Sequence, residues 1–418
     1  MQITIRRLAA ALLIIGAIGS SHAADTRWIA SWASSPLGGK IVIPGVPPDK
    51  IPPSPIVHGT LRFRLPLSQG GSQLQLRLSN EANKEPLMIG AVTVGIADAG
   101  TVVRAGTMRN VTFSGQSAFS IPGGAPAIGE PVDLVTGPSD SVIVSIFLPQ
   151  DTQFPLGQRG IQAVVLDSGD ATQALTLEGA QPTTARTPVS AILVATSSHG
   201  ETIVAVGDSI TDGGITDTPD TRGWPGHLAR RFAQISGHPP FAVANEGIGG
   251  NGIVTDIIGA NGLARFDRDV LSLPNVSYVV VLEGINDIGF SNFPGGPSSA
   301  TPTTSQVLIG AYRQLIERAH QHGIRLIAGT LTPFKGAMYY SDSGEQVRDS
   351  LNEWMRTSRE LDGVVDFDRA LRDPADSKKL NATYDAGDHL HPSDAGYKAM
   401  ADAFELKKFI SAPWPSRR

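Results

Sequence analysis

The stretch "ETIVAVGDSITDGG", Glu201–Gly214, decides how the fold is predicted. It begins with a short apolar run, "TIVAV", and ends in a turn rich in glycine and aspartate. Four more apolar runs follow, separated by helical patterns, and they read "FAVAN", "VSYVVVL", "IRLIAGTL" and "GVVDF". Strands that are apolar almost throughout and alternate with helices are typical of a parallel sheet covered on both faces. Residues 199–418 are therefore predicted to form a three-layer α/β/α domain.

Helices in this half are predicted from apolar side chains that recur on one face at helical spacing. These side chains are Leu228, Phe232 and Ile235; Leu308, Tyr312, Leu315 and Ala319; and Val347, Leu351 and Trp354.

In the preceding half of the chain, apolar residues recur with a different period. "LRFRL" (Leu61–Leu65) and "LQLRL" (Leu74–Leu78) alternate apolar and polar residues, as half-buried strands do. "VTVGIA" and "SVIVSIFLP" are further strands, and clusters of Gly, Pro, Asn and Asp separate them. Residues 24–198 are predicted to form an all-β, jelly-roll-like antiparallel sandwich. "GAQPTTARTP" (Gly179–Pro188) is predicted to approach the domain boundary.

The chain begins with features of a secretory signal. Arg6 and Arg7 precede an apolar run, Leu8–Ile18, and small residues follow it. This pattern predicts a cleavable signal at residues 1–23, cut after Ala23, and is too short for a membrane span. The protein is thus expected to be secreted or periplasmic, and we favour the general secretory route over twin-arginine export.

Composition restricts the classes of partner and chemistry. Without the signal the chain carries 32 basic and 39 acidic residues, a formal charge of −7. Such a surface argues against nucleic acid or anionic lipid as the partner. The sequence has no cysteine, which excludes disulfides, a thiol nucleophile and thiolate metal sites. The sequence does not predict an oligomeric state.

In an open parallel sheet the functional site lies beyond the carboxyl ends of the strands. Gly207 permits a sharp turn after the first strand, and Ser209 then stands where backbone N–H groups point outward from a helix start. The alternative is structural, because Asp208 or Ser209 could simply cap that helix.

The other strand ends carry further candidates. The second strand ends in a turn containing Gly247, Gly249 and Gly250, which could aim a backbone N–H at an anion. The third strand ends near Asn286, whose amide could donate to the same anion or could satisfy loop backbone instead. The last helix is preceded by "YDAGDHLHPSDAGY" (Tyr384–Tyr397), which contains an Asp-x-x-His sequence.

One edge of the sheet would thus collect a serine, a glycine N–H, an asparagine amide and an Asp-x-x-His. These are the components of acyl transfer: a nucleophile, oxyanion donors, a general base and a carboxylate that orients the base.

The combination resembles the SGNH/GDSL hydrolase superfamily over about residues 201–410. "GDSIT" resembles its first sequence block, "NEGIGGN" the second, "GIND" the third and "DHLH" the fifth. The first block has Ile where many members have Leu, which is a conservative change. "ARFDRDVLS", "VLEGINDIG", "AYRQLIERAH" and "VVDFDRALRDPAD" resemble a two-domain, exported branch of arylesterase-like or sugar-deacetylating members. The resemblance implies a flavodoxin-like sheet. No Gly-x-Ser-x-Gly is present, so the nucleophile elbow of α/β-hydrolases is absent.

The resemblance also implies the role of each residue. Ser209 would attack an ester carbonyl, His391 would accept its proton, and Asp388 would orient His391. The oxyanion would be held by the N–H groups of Ser209 and Gly250 and by the amide of Asn286. Water would then hydrolyse the acyl-enzyme, and no cofactor or metal is implied.

The substrate implied is a small-molecule or glycan ester with a short acyl group, expected to be acetyl, on a carbohydrate or aryl alcohol. Aromatic side chains suit either alcohol. Phe293, Phe334, Tyr339 and Tyr340 are the predicted substrate-binding residues, with Phe290 and Met338 beside them. Packing in the core is the competing interpretation, favoured for Phe290. The loop Phe290–Ser305 is expected to border the site.

Two alternatives come from other functional classes. A metal-dependent hydrolase would use a cluster of five side chains, which is Asp208, Asp212, Asp388, His389 and His391. It leaves the serine, the glycine and the asparagine unexplained. The other alternative is a carbohydrate-binding protein whose β domain acts and whose hydrolase half is vestigial, and the complete set of catalytic positions argues against it.

The two histidines of Tyr384–Tyr397 are predicted to differ. Asp388 and His391 are three residues apart, which one tight turn brings to the same side, whereas His389 is predicted to point away from Ser209. Pro392 and the two residues after it predict the start of a final helix. Its apolar face would comprise Tyr397, Met400, Ala401 and Phe404.

Overall fold

The computed structural model describes residues 27–38, 46–157, 160–196, 199–213, 221–236, 240–291, 293 and 303–410. The predicted signal, residues 1–23, and most of the loop Phe290–Ser305 lie outside the described residues. None of the helices in the described ranges has the length and apolar character that a membrane span requires.

The N-terminal half is a β-sandwich, as its alternating sequence predicts. Its strands are β1 (Arg27–Ala33), β2 (Ile56–Pro66), β3 (Leu74–Ser79), β4 (Leu87–Ile89), β5 (Ala91–Ile96), β6 (Arg109–Asn110), β7 (Phe119–Ile121), β8 (Pro126–Ile128), β9 (Ser141–Gln153), β10 (Gln162–Leu166), β11 (Gln181–Pro182) and β12 (Val189–Thr196). A four-stranded sheet, β1-β12-β3-β8, faces a six-stranded sheet, β11-β10-β2-β9-β5-β6, and a small pair, β4-β7, accompanies them. Every strand pair is antiparallel. Inward Val, Ile, Leu and Phe side chains of both sheets form one core.

The C-terminal half is an α/β domain around a parallel sheet. Its strands are β13 (Glu201–Gly207), β14 (Phe241–Gly247), β15 (Val276–Leu282), β16 (Arg325–Gly329) and β17 (Gly363–Val365). The spatial order β14-β13-β15-β16-β17 is the flavodoxin-like order, and it reverses direction at β13. A crevice is expected where two neighbouring connections leave in opposite directions, which here is at the carboxyl end of β13.

Helices cover both faces of this sheet. They are α1 (Ser209–Asp212), α2 (Gly223–Ala233), α3 (Gly262–Phe266), α4 (Ile285–Ser291), α5 (Ser305–Gln321), α6 (Asp342–Thr357), α7 (Phe367–Leu371), α8 (Asp394–Asp402) and α9 (Leu406–Ile410), and a π-helical turn, Asp267–Leu271, follows α3. Helices α2 and α7 pack together with the segment after α8 through the rings of Trp224, Phe367 and Phe404. Helices α3, α5 and α6 form a second group, in which α5 packs against both α3 and α6.

The predicted helix face is confirmed for α5 and for the predicted residues that lie within α2 and α8, although Ile235 and Phe404 lie beyond the ends of those helices. For α6 the prediction is confirmed in part, because Leu351 is buried and Val347 and Trp354 pack against the core. Val347 and Trp354 are only partly buried, and the face that packs inward carries Glu345, Arg348 and Leu351. Arg348 donates to Glu345, to Asp368 and to a backbone carbonyl, so its charge is buried but fully paired. Apolar periodicity cannot identify a face that is built on a buried ion pair.

The sandwich lies against the edge strand of the parallel sheet. The change of sheet occurs between Thr196, where β12 ends, and Glu201, where β13 begins. The amide of Val243 in β14 donates to Ser68 at 3.0 Å, and Gln69 donates to the carbonyl of Phe241 at 3.3 Å. These side chains therefore satisfy backbone groups on β14 that an exposed edge would present to other chains.

Apolar and charged contacts extend this interface. Ala30, Ala33 and Ala191 of the sandwich belong to the core of the α/β half. Ser35 donates at 2.6 Å to the buried carboxylate of Asp269, just beyond α3. The two halves therefore share a packed surface.

Candidate active site

Ser209 is placed by a tight turn at the end of β13. Asp208, and not Ser209, caps helix α1, because its Oδ1 accepts a 2.8 Å hydrogen bond from the amide of Ile210. A Cβ at Gly207 would lie 2.2 Å from the Thr211 hydroxyl, so the close turn requires glycine. The capping alternative thus applies to Asp208 alone. The Ser209 hydroxyl remains available at the half-buried helix start.

His391 and Asp388 lie against this serine, 182 residues away in sequence. His391 Nε2 is 2.8 Å from Ser209 Oγ, and His391 Nδ1 is 2.6 Å from Asp388 Oδ2. The other oxygen of Asp388 accepts from the amides of Leu390 and His391, at 3.1 and 2.9 Å. One carboxylate therefore fixes both the turn and the imidazole. Because Asp388 accepts from Nδ1–H, Nε2 carries the lone pair that faces the serine.

The environment of Asp388 favours its ionised form. Burial by itself would raise the pKa of this carboxyl group, but the hydrogen bonds from the His391 ring and backbone outweigh burial and hold the pKa well below its usual range. Asp388 is thus an anion at neutral pH, as is required to stabilise an imidazolium.

Gly250 lies in the turn that follows β14. Its φ of 75° is in the left-handed region, which favours glycine. A Cβ at this position would also come within 2.6 Å of Ile258. The neighbouring Gly249 approaches the serine closely, since a Cβ there would lie 3.9 Å from the Cβ of Ser209. This loop therefore passes beside the nucleophile turn.

Asn286 is buried at the start of α4, and both the nitrogen and the oxygen of its side-chain amide form hydrogen bonds. Its Nδ2 donates to the carbonyl of Asn251 at 2.9 Å, and its Oδ1 accepts from the Tyr339 hydroxyl at 3.2 Å. An amide nitrogen carries two hydrogens, so one N–H remains for a substrate oxyanion. The two fixed contacts also define which end of the amide carries the nitrogen.

Buried charged residues that the sequence patterns did not single out support these loops. Arg265, with a side chain that is fully buried, donates to the carbonyls of Gly207 and Glu246 and to the side chain of Asn251. It thereby joins the ends of β13 and β14 to the segment that carries Gly250. The quoted "ARFDRDVLS" contains this arginine, but its partners lie on other segments and could not be read from spacing.

Asp287 has a similar role beside Asn286. Its carboxylate accepts from the consecutive amides of Ile253, Val254 and Thr255, at 2.7, 3.1 and 3.0 Å. This fixes the loop that follows Gly250 to the helix start that carries Asn286. The "GIND" sequence could have indicated this role. An aspartate near a helix start can accept hydrogen bonds from the backbone amides of another segment.

Three buried carboxyl groups, those of Asp208, Glu246 and Glu283, lie at the carboxyl ends of β13, β14 and β15. Burial raises the pKa of Asp208 to about 7, an effect that its bond from Ile210 only partly offsets. Burial also raises the pKa of Glu246 and of Glu283 well above the ordinary value. Among the described residues, Asp208 Oδ2 has no hydrogen-bond partner. Burial therefore shifts each of these carboxyl groups toward its protonated form.

The aromatic candidates divide into two groups, and this corrects two of the predicted substrate contacts. Phe334 and Tyr339 are 0% and 6% exposed and belong to the core, as does Phe290. Phe293 and Tyr340 are only partly buried. Tyr339 supports Asn286 from within the protein and does not line an open wall. An aromatic residue that follows a strand end can pack in the core or line the site, and the sequence pattern does not distinguish these two positions.

The five residues of the metal alternative do not converge. Asp208 caps α1, Asp212 pairs with Arg222, and His391 is bound between Asp388 and Ser209. His389 Nδ1 is 2.6 Å from a different carboxylate, that of Asp385. In the described residues no three His, Asp or Glu side chains form a group that could hold a metal ion.

These distances allow a specific chemistry. A serine hydroxyl hydrogen-bonded to an oriented imidazole can be deprotonated as it attacks, and the neighbouring N–H groups can hold the resulting oxyanion.

The family comparison agrees with this geometry. Residues 205–399, which contain all of these elements, match the model of the GDSL-like lipase/acylhydrolase family. This part of the chain, somewhat less than half of its length, is similar to that family. The match supports a carboxylic ester hydrolase.

Solved structures of other proteins resemble the chain over about half its length. A GDSL-like lipase from Bacteroides thetaiotaomicron is 20% identical, with a TM-score of 0.38, over 50% of this chain and 88% of that one. An acetylxylan esterase from Geobacillus stearothermophilus is 22% identical, with a TM-score of 0.39, over 52% of this chain and 97% of that one. Among curated proteins the sequence comparison finds no match.

Proposed function

We propose that this GDSL-like hydrolase is a serine esterase that removes short acyl groups, with acetyl as the preferred group, from carbohydrate or aryl alcohols. The observation that carries the proposal is the contact of 2.8 Å between Ser209 Oγ and His391 Nε2, with Asp388 bound to the far side of the ring. This is the arrangement that activates a serine hydroxyl.

Acylation begins when Ser209 Oγ attacks the ester carbonyl carbon. His391 Nε2 takes the hydroxyl proton as the Oγ–C bond forms, and the carbonyl oxygen becomes an oxyanion. The imidazolium then gives the proton to the leaving alcohol oxygen as the ester C–O bond breaks. Asp388 remains ionised throughout, keeps Nδ1–H in place and stabilises the transient positive charge.

The oxyanion would be held by three donors. They are the amide N–H groups of Ser209 and Gly250 and the second N–H of the Asn286 side chain. Support for the third comes from the two contacts that fix the Asn286 amide, which leave this one hydrogen uncommitted. Preorganised donors of this kind stabilise the transition state because they need no reorientation when the charge forms.

Deacylation repeats the sequence with water. His391 takes a proton from water as the water oxygen attacks the acyl carbon, and it returns the proton to Ser209 Oγ as the acyl-enzyme bond breaks. Each proton and electron pair is accounted for by these residues, so the proposed cycle uses no cofactor.

A short acyl group and a polar alcohol fit the surroundings of the site. The large hydrophobic side chains that are exposed in the described residues are scattered over both halves, and Met338 is the one on the loop after β16. The described part of the site therefore offers no extended apolar face for a long acyl chain. Beside His391, in contrast, the turn carries Asp385, Asp388 and His389, which suit hydroxyl-bearing substrates.

We also propose the arrangement in which this enzyme works. Residues 1–23 would direct export and be removed, residues 24–198 would be the sandwich domain and residues 199–418 the hydrolase domain. The enzyme would then act in the periplasm or outside the cell, where small acylated alcohols and glycans are accessible to it.

Three measurements test the mechanism. Ser209→Ala should abolish hydrolysis of phenyl acetate without altering the circular dichroism spectrum, and a fluorophosphonate should label wild-type Ser209 covalently but not the variant. Labelling at another residue, or activity retained in the variant, would refute the serine mechanism. Prolonged EDTA treatment should leave the rate unchanged, and loss that Zn²⁺ or Mn²⁺ restores would favour the metal-dependent alternative.

A chain-length series tests the substrate class. Acetyl, butyryl and octanoyl esters of one phenol are compared at equal concentration, beside acetylated xylan. The proposal expects the highest kcat/KM for acetyl, and a maximum at octanoyl would contradict the short-chain assignment.

A further inference from the structure

The turn that supplies Asp388 and His391 contains a second aspartate–histidine pair. Asp385 Oδ2 lies 2.6 Å from His389 Nδ1, and Asp385 Oδ1 accepts from the amides of Gly387 and His389, at 2.8 and 3.0 Å. Asp388 holds His391 in the same way, with one oxygen on the ring and the other on backbone amides. The turn therefore builds two oriented imidazoles two residues apart.

The two imidazoles differ in what their Nε2 atoms contact. His391 Nε2 faces Ser209, whereas His389 Nε2 has no hydrogen-bond partner among the described residues. The His389 side chain is 56% exposed, and its carboxylate partner is 11% exposed. With Nδ1–H committed to Asp385, the neutral ring presents Nε2 to the outside as an acceptor.

The stability of the turn does not account for this histidine. The backbone bonds to Asp385 need only the amides of residues 387 and 389, which any residue supplies. His389 has a φ of 63°, a left-handed conformation that strains a non-glycine residue. Its ring gains a hydrogen bond to Asp385, but that bond does not require the Nε2 atom to be exposed. Glycine would form the same turn with less strain.

The position of His389 points to the alcohol part of the substrate. Its ring rests on Gly336, where a Cβ would lie 2.9 Å from ring atoms, and Gly336 belongs to the same loop as Tyr339. The ring thus spans from the turn of His391 to the loop that supports Asn286. In the proposed mechanism His391 protonates the leaving oxygen, so the alcohol must lie beside this turn.

We propose that His389, oriented by Asp385, forms an alcohol-side subsite whose Nε2 accepts a hydrogen bond from a hydroxyl group close to the ester. The substrate class that this selects is a partially acylated polyol or sugar, in preference to an aryl or fully acylated alcohol. The inference rests on the proposed function and refines its choice between carbohydrate and aryl esters.

The test compares three acetate esters on wild type and His389→Gly. They are a methyl xyloside monoacetate with free hydroxyls, its triacetate without any, and phenyl acetate. Glycine suits the φ of 63° and keeps the backbone bonds, so this variant should fold. A lost hydrogen bond of about 1 kcal/mol predicts a roughly fivefold rise in KM for the monoacetate, and a smaller change for the other two esters.

Asp385→Asn provides a second variant. An amide in place of the carboxylate would donate to Nδ1, so the proton moves to Nε2 and the acceptor is lost. It should raise KM for the monoacetate as His389→Gly does. His322→Asn, at the exposed end of α5, is the matched control and should not alter the ratio among the three esters.

The outcomes separate the two proposals. Equal losses on all three esters, no loss on the monoacetate, or a wild-type KM in Asp385→Asn would overturn the subsite. Hydrolysis of phenyl acetate but not of the monoacetate by wild type would overturn the subsite and leave the serine esterase intact. Hydrolysis of none of the three by wild type would overturn the proposed function itself.

Discussion

The hydroxyl of Tyr339 lies 3.2 Å from Oδ1 of Asn286, on the side away from the Asn251 carbonyl that the Asn286 amide nitrogen contacts. Tyr339→Phe removes this one hydrogen bond and leaves the buried ring in place. Because a neutral hydrogen bond contributes about 1 kcal/mol, kcat for phenyl acetate should fall about fivefold while KM and Tm change little.

Tyr340→Phe is the matched control for that variant. Its hydroxyl donates to Asp342, at the start of α6, and not to the site. Its kcat should equal that of wild type. A Tyr339→Phe enzyme with wild-type kcat would show that Asn286 is oriented without the tyrosine.

Asn286→Ala removes the proposed side-chain oxyanion donor. Loss of one such donor typically lowers kcat by a factor on the order of 10²–10³. The variant should retain its fold and its KM, because the interaction forms mainly in the transition state. Stopped-flow measurement of the acylation step checks this directly. A normal acylation rate at unchanged Tm would exclude Asn286 from the oxyanion site.

Asp388→Asn tests the orientation of His391. The amide would favour the wrong imidazole tautomer, and in a well-studied serine protease the corresponding change lowers kcat about 10⁴-fold. We expect a loss of several orders of magnitude here, and nearly complete loss in His391→Ala. Steady-state rates at pH 8 give the comparison. If Asp388→Asn and wild type had similar rates, the carboxylate would serve only the turn.

Asp208→Asn should alter how stability depends on pH. The folded pKa of Asp208, about 7, lies above its unfolded value of about 3.9. The folded state therefore binds an extra proton between these values, and the free energy of unfolding falls as pH rises through this window. The asparagine can still cap α1 without this titration.

Calorimetric Tm values at pH 5 and pH 8 provide the measurement for Asp208. The decrease in Tm between these pH values should be smaller in Asp208→Asn than in wild type. Some decrease should remain, because Glu246 and Glu283 also have raised pKa values. An identical decrease in both proteins would mean that Asp208 is ionised in the fold at both pH values.

A fragment that begins at Glu201 should be poorly soluble. It would expose the backbone groups of β14 that Ser68 and Gln69 bind, together with the apolar side chains that pack on β1. Soluble yield and size-exclusion profile, compared with residues 24–418, check this. A monodisperse, folded fragment would show that the edge is protected without the sandwich.

Periodicity in the sequence predicts much of this fold because apolar side chains alternate with period two in the sandwich and recur at helical spacing in α2, α5 and α8. The candidate site was predictable to the extent that its residues follow strand ends, as Ser209 and Asn286 do. The carboxyl ends of parallel strands meet at one edge, so position in sequence implied proximity in space.

Other features depend on partners that are distant in sequence. The burial of Arg265 and Arg348 is explained only by carbonyls and carboxylates on separate segments, and a charged residue is ordinarily expected at the surface. Tyr339 and Phe334 belong to the core although they follow a strand end. In the sequence, the second pair, Asp385 and His389, looks like part of a simple turn. Only the structure shows that the His389 ring is oriented by Asp385 and exposed.

The contact between the sandwich and β14 also bears on how such a protein can evolve. The edge strand of the hydrolase half is covered by another domain. Recombination could therefore not transfer this half alone into another protein without further changes. Loss of the sandwich would first require substitutions along β14, such as a proline or a lysine facing outward, that tolerate water at that edge. Selection on the esterase therefore also acts on Ser68 and Gln69, residues of a domain that contributes none of the proposed catalytic groups.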